Sequence, residues 1–224
     1  KKNIMTAIAI DGPAGAGKST IARLAAKKLG FIYVDTGALY RAIAYNAVKL
    51  GVKISDENQV ECLLDHTDVQ LKFQNGEQRV YVNGSDVTGF IRTPEVSMAS
   101  SGISALPVVR KYLLGLQRGI AKNSDVIMDG RDIGTVVLPD AKIKIFLTAS
   151  AECRAKRRYE ELTEKGMDVV YDDILRDIET RDYNDSHREV APLKPARDAV
   201  LVDTSGETLE TSLERLLGVI EKRL

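Results

Sequence analysis

The chain of 224 residues carries 32 Lys plus Arg against 32 Asp plus Glu, so no net basic field draws it to a nucleic-acid polymer or an anionic membrane. Its length supports a full apolar core, and the lack of a Pro/Gly/Ser-rich linker or low-complexity tract points to one domain over residues 1–224. Cys62 and Cys153 are too few and too far apart for a disulfide framework and suit reduced thiols in a cytoplasmic protein.

Lys1 and Lys2 ahead of an apolar run imitate the start of a secretory signal, but the run stops at Asp11 and no small-residue cleavage site follows. It reads as a first buried strand, Ile4 to Ile10. No apolar stretch approaches the roughly 20 residues of a membrane span, so the expectation is a soluble, cytoplasmic protein.

Gly12-Pro13-Ala14-Gly15-Ala16-Gly17-Lys18-Ser19 comes next, with Thr20 behind it. The run fits G-x-x-x-x-G-K-[ST], in which glycines let the backbone wrap an anion and present successive N–H groups to it. The frame is strand, loop, helix, since Ser19 to Leu29 has helical character, and a helix N-terminus adds partial positive charge. In such a cradle Lys18 reaches the β- and γ-phosphates of a nucleoside triphosphate and the Ser19 hydroxyl ligates Mg²⁺. The alternative is a glycine-rich turn that only packs.

Gly30 ends the helix and Phe31-Ile32-Tyr33-Val34 reads as a short strand delivering Asp35-Thr36-Gly37. Open α/β sheets bind ligands at the carboxyl ends of their strands, which places Thr36, and Arg41 one turn into the next helix, near a substrate. A helix cap and a solvated charge are the plainer readings of the same two residues. From residue 65 to residue 90 the period changes to two, with Asn75-Gly76 and Asn83-Gly84 as turns, so a small antiparallel insertion interrupts the strand-helix units. Glu95 to Leu106 reads as a helical arm, and Pro107 opens a helix to about Ala121 that carries Arg110 and Arg118.

Asp125 to Met128 reads as a buried strand ending in Asp129-Gly130-Arg131-Asp132, two carboxylates and a guanidinium that need pairing or a ligand. Lys142 to Leu147 is another strand, followed by a helix with Arg154, Arg157 and Arg158 and by Gly166 as a hinge. Arg181, Asp185 and Arg188 fall along one helical face. Interleaved acids break any continuous basic stripe, which favours small phosphates over a polymer. Ala199 to Val202 is a fifth core strand, and Leu209 to Leu224 a packing helix.

A bound triphosphate can be hydrolysed, used as a switch or used to phosphorylate an acceptor. The strand-end Asp129 is followed by Gly130 rather than by a water-positioning Glu, and no Asn-Lys-x-Asp guanine reader is present. Asp86-Val87-Thr88-Gly89 fits a looser switch pattern but lies in the hairpins. Transfer survives. Arg41 and Arg131 could hold a second phosphate bidentately, and arginines after Phe146 suit a lid that keeps water out.

These residues resemble the bacterial cytidylate kinases, within the nucleoside monophosphate kinases. The resemblance covers essentially the whole chain and rests on the phosphate loop, Asp35 to Arg41, Arg92 to Val96, Asp129 to Thr135, and Arg181-Asp182 with Asp185 and Arg188. It implies a P-loop kinase core with a five-stranded parallel sheet flanked by helices, an acceptor-binding antiparallel insertion at about 63–98 and a helical lid at about 153–168. By that likeness Arg41 and Arg131 hold the CMP phosphate, and Ser101, Arg110 and Asp132 read cytosine. Arg181 and Asp185 hold the ribose, Arg188 serves the phosphates, Arg154 and Arg158 belong to the lid, and Thr36 offers a hydroxyl to the acceptor. The implied reaction uses ATP, CMP or dCMP, and Mg²⁺ in a monomer. A kinase of another acceptor, such as UMP or a shikimate-like alcohol, and a non-catalytic nucleotide-gated module remain the alternatives.

Overall fold

A computed structural model describes residues 5–224, so the Ile4 start expected for the first strand lies outside the described residues. Five parallel strands form the main sheet: β1 (Ala7–Asp11), β2 (Ile32–Asp35), β6 (Val126–Gly130), β7 (Ile143–Thr148) and β8 (Val200–Asp203). Their order is β2-β6-β1-β7-β8, which puts β1 and its following loop in the middle. In between come α1 (Lys18–Leu29), α2 (Thr36–Lys49), α3 (Glu57–Asp65), β3 (Val69–Gln74), β4 (Glu77–Val82) and β5 (Ser85–Asp86). The remaining helices are α4 (Pro94–Ala105), α5 (Pro107–Asn123), α6 (Ala151–Glu164), α7 (Tyr171–His187) and α8 (Leu209–Glu221). No helix among the described residues is long and apolar enough to cross a membrane.

The sheet is covered on both faces, which is why its strands are apolar runs rather than alternating ones. Ile8, Ile10, Ile127 and Ile145 face α1 and α8, where they meet Ile21, Ala25, Leu216 and Ile220. Ala9, Val34, Val126 and Met128 face the other way, against Ala121, Ile133 and Val137. Leu201 of the edge strand β8 is exposed. The final helix stops at Glu221 instead of running to Leu224.

The insertion forms its own antiparallel sheet, β3-β4-β5, paired through the Asn75-Gly76 and Asn83-Gly84 turns. Val69, Val80 and Val82 share one apolar cluster with Ile43 of α2, Leu64 of α3 and Leu113 of α5, so the insertion is packed onto the core. Gln78 adds a polar tie, accepting from the Asp35 N–H at 3.0 Å and donating to the Asp35 carbonyl at 3.3 Å.

The parallel register brings the strand ends into line, with Asp35 beside Asp129 and Asp11 beside Gly130. Acids and guanidiniums that are far apart in the chain therefore meet along one rim.

Candidate active site

The loop between β1 and α1 sits at the centre of that rim. At Gly12 an added Cβ would lie 1.9 Å from the Leu147 carbonyl oxygen, so only glycine lets the chain leave β1 beside β7. Lys18 is buried and donates from Nζ to the Pro13 carbonyl at 2.9 Å. Burial, with Arg131 nearby, pushes its ammonium down to about 7, while Asp129, Asp11 and Asp35 oppose the shift. Ala14, Gly15, Lys18 and Ser19 form one wall of a cavity of about 230 Å³. Gly17 caps α1 with a left-handed backbone, Ala16 points into the core, and Thr20 lies on the helix away from the wall.

Thr36, Arg41, Ser101, Arg110, Arg131, Asp132, Arg181, Asp185 and Arg188 all face the same cavity, which gathers them from α2, α4, α5, the β6 end and α7. Thr36 is no helix cap, because Asp35 accepts the Ala38 N–H in that role. Instead the Thr36 hydroxyl donates to the Asp129 carbonyl at 2.7 Å, stitching α2 to β6. Arg41 donates to the Ser97 hydroxyl at 2.6 Å and is pushed down by burial beside Arg92 and Arg181, a concentration of positive charge suited to an anion.

Arg110 and Asp132 form a buried pair at 2.9 Å. Arg110 also donates from Nε to the Ser104 carbonyl and lies 5.2 Å from the Tyr40 ring centroid, so its plane is fixed from two sides. Arg131 donates from Nε to Asp185 at 2.9 Å, and Arg188 Nη1 lies 3.9 Å from the same carboxylate. The Arg188 Nε bonds the Ala191 carbonyl, while its buried Nη2 has no partner among the described residues. That leaves a donor available to an acceptor nucleotide.

The two lid arginines part company. Arg158 is half exposed, pairs with Glu161 at 2.8 Å and lines a second cavity, about 700 Å³, between α4, α6 and α7. Arg154 lines neither cavity: it is buried, with its guanidinium spent on Ala14, Ala149 and Asp182. It stands behind the phosphate loop and does not face into the site.

One buried acid at the site, Asp11, carries no role in the sequence reading. Asp11 is buried at the end of β1 and accepts the Ile133 and Gly134 N–H groups, both at 2.8 Å, through a one-turn π-helix at Ile133–Val137. Burial pushes Asp11 up to about 6. Asp129 accepts the Tyr33 hydroxyl at 2.8 Å and is pushed up to about 6 by burial and by Asp35. The only sequence signal for Asp11 is an acid at the end of an apolar strand, whereas Asp129 belongs to the cluster already marked in the sequence.

The chain matches the cytidylate kinase family over residues 8–222. It is 51% identical over 216 residues to the cytidylate kinase of Carboxydothermus hydrogenoformans, covering 96% of this chain and 97% of that one. To the enzyme of that name from Caldicellulosiruptor saccharolyticus it is 52% identical over 215 residues, with 96% and 95% covered. A solved structure of an uncharacterized protein from Eubacterium ventriosum shares the fold, at TM-score 0.53 and 12% identity over 98% of this chain and 100% of that chain. Matched along nearly its whole length, and with the strand-end acids and arginines gathered on one cavity, the chain belongs to the cytidylate kinase family.

Proposed function

We propose that the protein transfers the γ-phosphoryl group of ATP to CMP or dCMP, giving ADP and CDP or dCDP. The observation that carries this reading is that a single cavity joins the phosphate loop to the Arg110–Asp132 pair, with Arg41 and Arg131 between them. The loop's N–H groups and Lys18 bind the donor phosphates, and Arg41 and Arg131 hold the acceptor phosphate. An acceptor phosphate oxygen attacks the γ-phosphorus, and the bond to the β,γ-bridging oxygen breaks to release ADP. The protein supplies position and charge neutralisation rather than covalent chemistry, the usual division of labour in phosphoryl transfer.

Asp132 gives the base preference a physical cause. Cytosine offers an N4 amino donor where uracil offers an O4 acceptor, so a carboxylate accepts from the first and repels the second. Ser101 and Arg110 complete the base site, Arg181 and Asp185 bind the sugar, and Arg188 brings its spare donor to the acceptor. The segment at about 63–98 serves as the acceptor-binding insertion and that at about 153–168 as the lid, which brings Arg158 to the phosphates.

The donor set also fits Mg²⁺. The Ser19 hydroxyl with Asp129 and Asp35 nearby supplies the hard oxygens this ion takes alongside substrate phosphates. When bound, Mg²⁺ neutralises charge on the β- and γ-phosphates. A monomer is the simplest working unit for this reaction, because the donor and acceptor walls need no second subunit, and the unpaired Cys62 and Cys153 suit a cytoplasmic setting.

The test is ADP release with ATP and Mg²⁺ against CMP, dCMP, UMP and AMP. Rapid turnover with the cytidylates and at least about tenfold poorer use of UMP are expected. Activity confined to UMP or AMP, or ATP binding with no transfer to any of the four, would defeat the reading.

A further inference from the structure

α7 carries Arg181 and Asp185 on the face turned to the acceptor cavity, and Asp182 is rotated about 100° from Arg181. That rotation aims its carboxylate at Arg154 on α6. The two groups meet as a fork, Nη1 to Oδ1 at 2.9 Å and Nη2 to Oδ2 at 2.5 Å. The Arg154 side chain is 4% exposed, so its orientation is set by these contacts and by the Nε bond to Ala149 at 2.9 Å. One further bond matters most: Nη1 also donates to the Ala14 carbonyl, at 3.1 Å, inside the phosphate loop.

A trans peptide points its C=O and N–H in opposite directions. Holding the Ala14 carbonyl against Arg154 therefore turns the Gly15 N–H of the same peptide the other way, toward the cavity that Ala14 and Gly15 line. Gly15 itself, at φ +74°, imposes little preference on that plane.

We propose that Asp182 is a positioning residue that acts through Arg154: it holds the guanidinium against the Ala14 carbonyl and so presets a phosphate-loop N–H for the donor triphosphate. The role belongs to the donor side although Asp182 sits between two residues facing the acceptor. It rests on the phosphoryl-transfer reading above and adds to it a link from α7 to ATP.

Steady-state kinetics and calorimetric ATP binding on the full chain test it, with Asp182→Asn, Asp182→Glu, Arg154→Lys and the Asp182→Asn/Arg154→Lys double variant. Asp182→Asn should weaken ATP binding and raise KM for ATP about tenfold while KM for CMP stays within about threefold. Asp182→Glu should recover part of the loss, and the double variant should lose no more than the worse single one, because both remove one linkage.

A CMP KM that climbs in step with the ATP KM, multiplicative losses in the double variant, or tighter ATP binding in Asp182→Asn would overturn the assignment. Should Asp182→Asn fail to fold by circular dichroism, Asp182→Glu and Arg154→Lys decide the matter by the same ATP-against-CMP split. If the wild-type chain transfers nothing to CMP, the functional reading falls, and ATP binding to the variants still judges Asp182.

Discussion

Several guanidiniums at the site are already paired within the protein: Arg110 with Asp132, Arg131 with Asp185 and Arg41 with the Ser97 hydroxyl. Arg110 has a carboxylate, a carbonyl and an aromatic face, and its bond to Asp132 is buried in the cavity wall. A buried pair of this sort adds little to stability but is costly to halve. Asp132→Ala should therefore cost CMP about ten- to a hundredfold in kcat/KM while the ATP KM holds, measured by varying each substrate in turn. Equal losses for CMP and UMP would contradict base reading by this carboxylate.

Asp11 makes a different prediction. Its folded value of about 6 lies above the ordinary 3.8, so between those values the folded chain keeps a proton that the unfolded chain has released. Stability then falls as pH rises from about 4 to about 6, by roughly 3 kcal/mol from this group alone. Asp129 contributes with the same sign. Asp11→Asn should flatten this part of the profile, seen as a smaller change in denaturant midpoint between pH 4.5 and pH 7 than in the wild-type chain.

At the level of elements, the junction after β6 is the tightest piece of construction. Thr36 crosses from α2 to bond the Asp129 carbonyl, and the π-helix turns Ile133 back beneath it. A Cβ on Gly130 would lie 2.6 Å from the Thr36 hydroxyl and 2.8 Å from the Ile133 side chain. Gly130→Ala must displace one of them, so a loss of about 1–3 kcal/mol in stability is expected, read by chemical denaturation, with a matching loss of cytidylate turnover. The glycine between Asp129 and Arg131 is thus a requirement of packing between elements.

Across the whole molecule, local patterns foretold most elements and long-range geometry did not show in the sequence. The apolar runs at β1, β6 and β7 and the Asn-Gly turns marked their structures because period and turn chemistry are local. The phosphate loop and the Asp129 to Asp132 cluster were legible as chemistry for the same reason. Strand order was not, nor was the π-helix, whose cause is a carboxylate 122 residues earlier in the chain. Arg154 shows the limit best: its place in a basic helical run suggested a lid, and only its pairing with Asp182, 28 residues on, shows which way it faces.

The two hydrogen bonds between Gln78 and the main chain of Asp35 have a mechanical consequence for the insertion. They clamp the hairpin beside its Asn75-Gly76 turn, since only the Gln74–Glu77 pair lies between Gln78 and that turn, while Val69 and Val82 anchor the other end in the apolar cluster. Fastened near both ends, the hairpin is braced like a strut against the terminus of β2 and is not free to swing away from it.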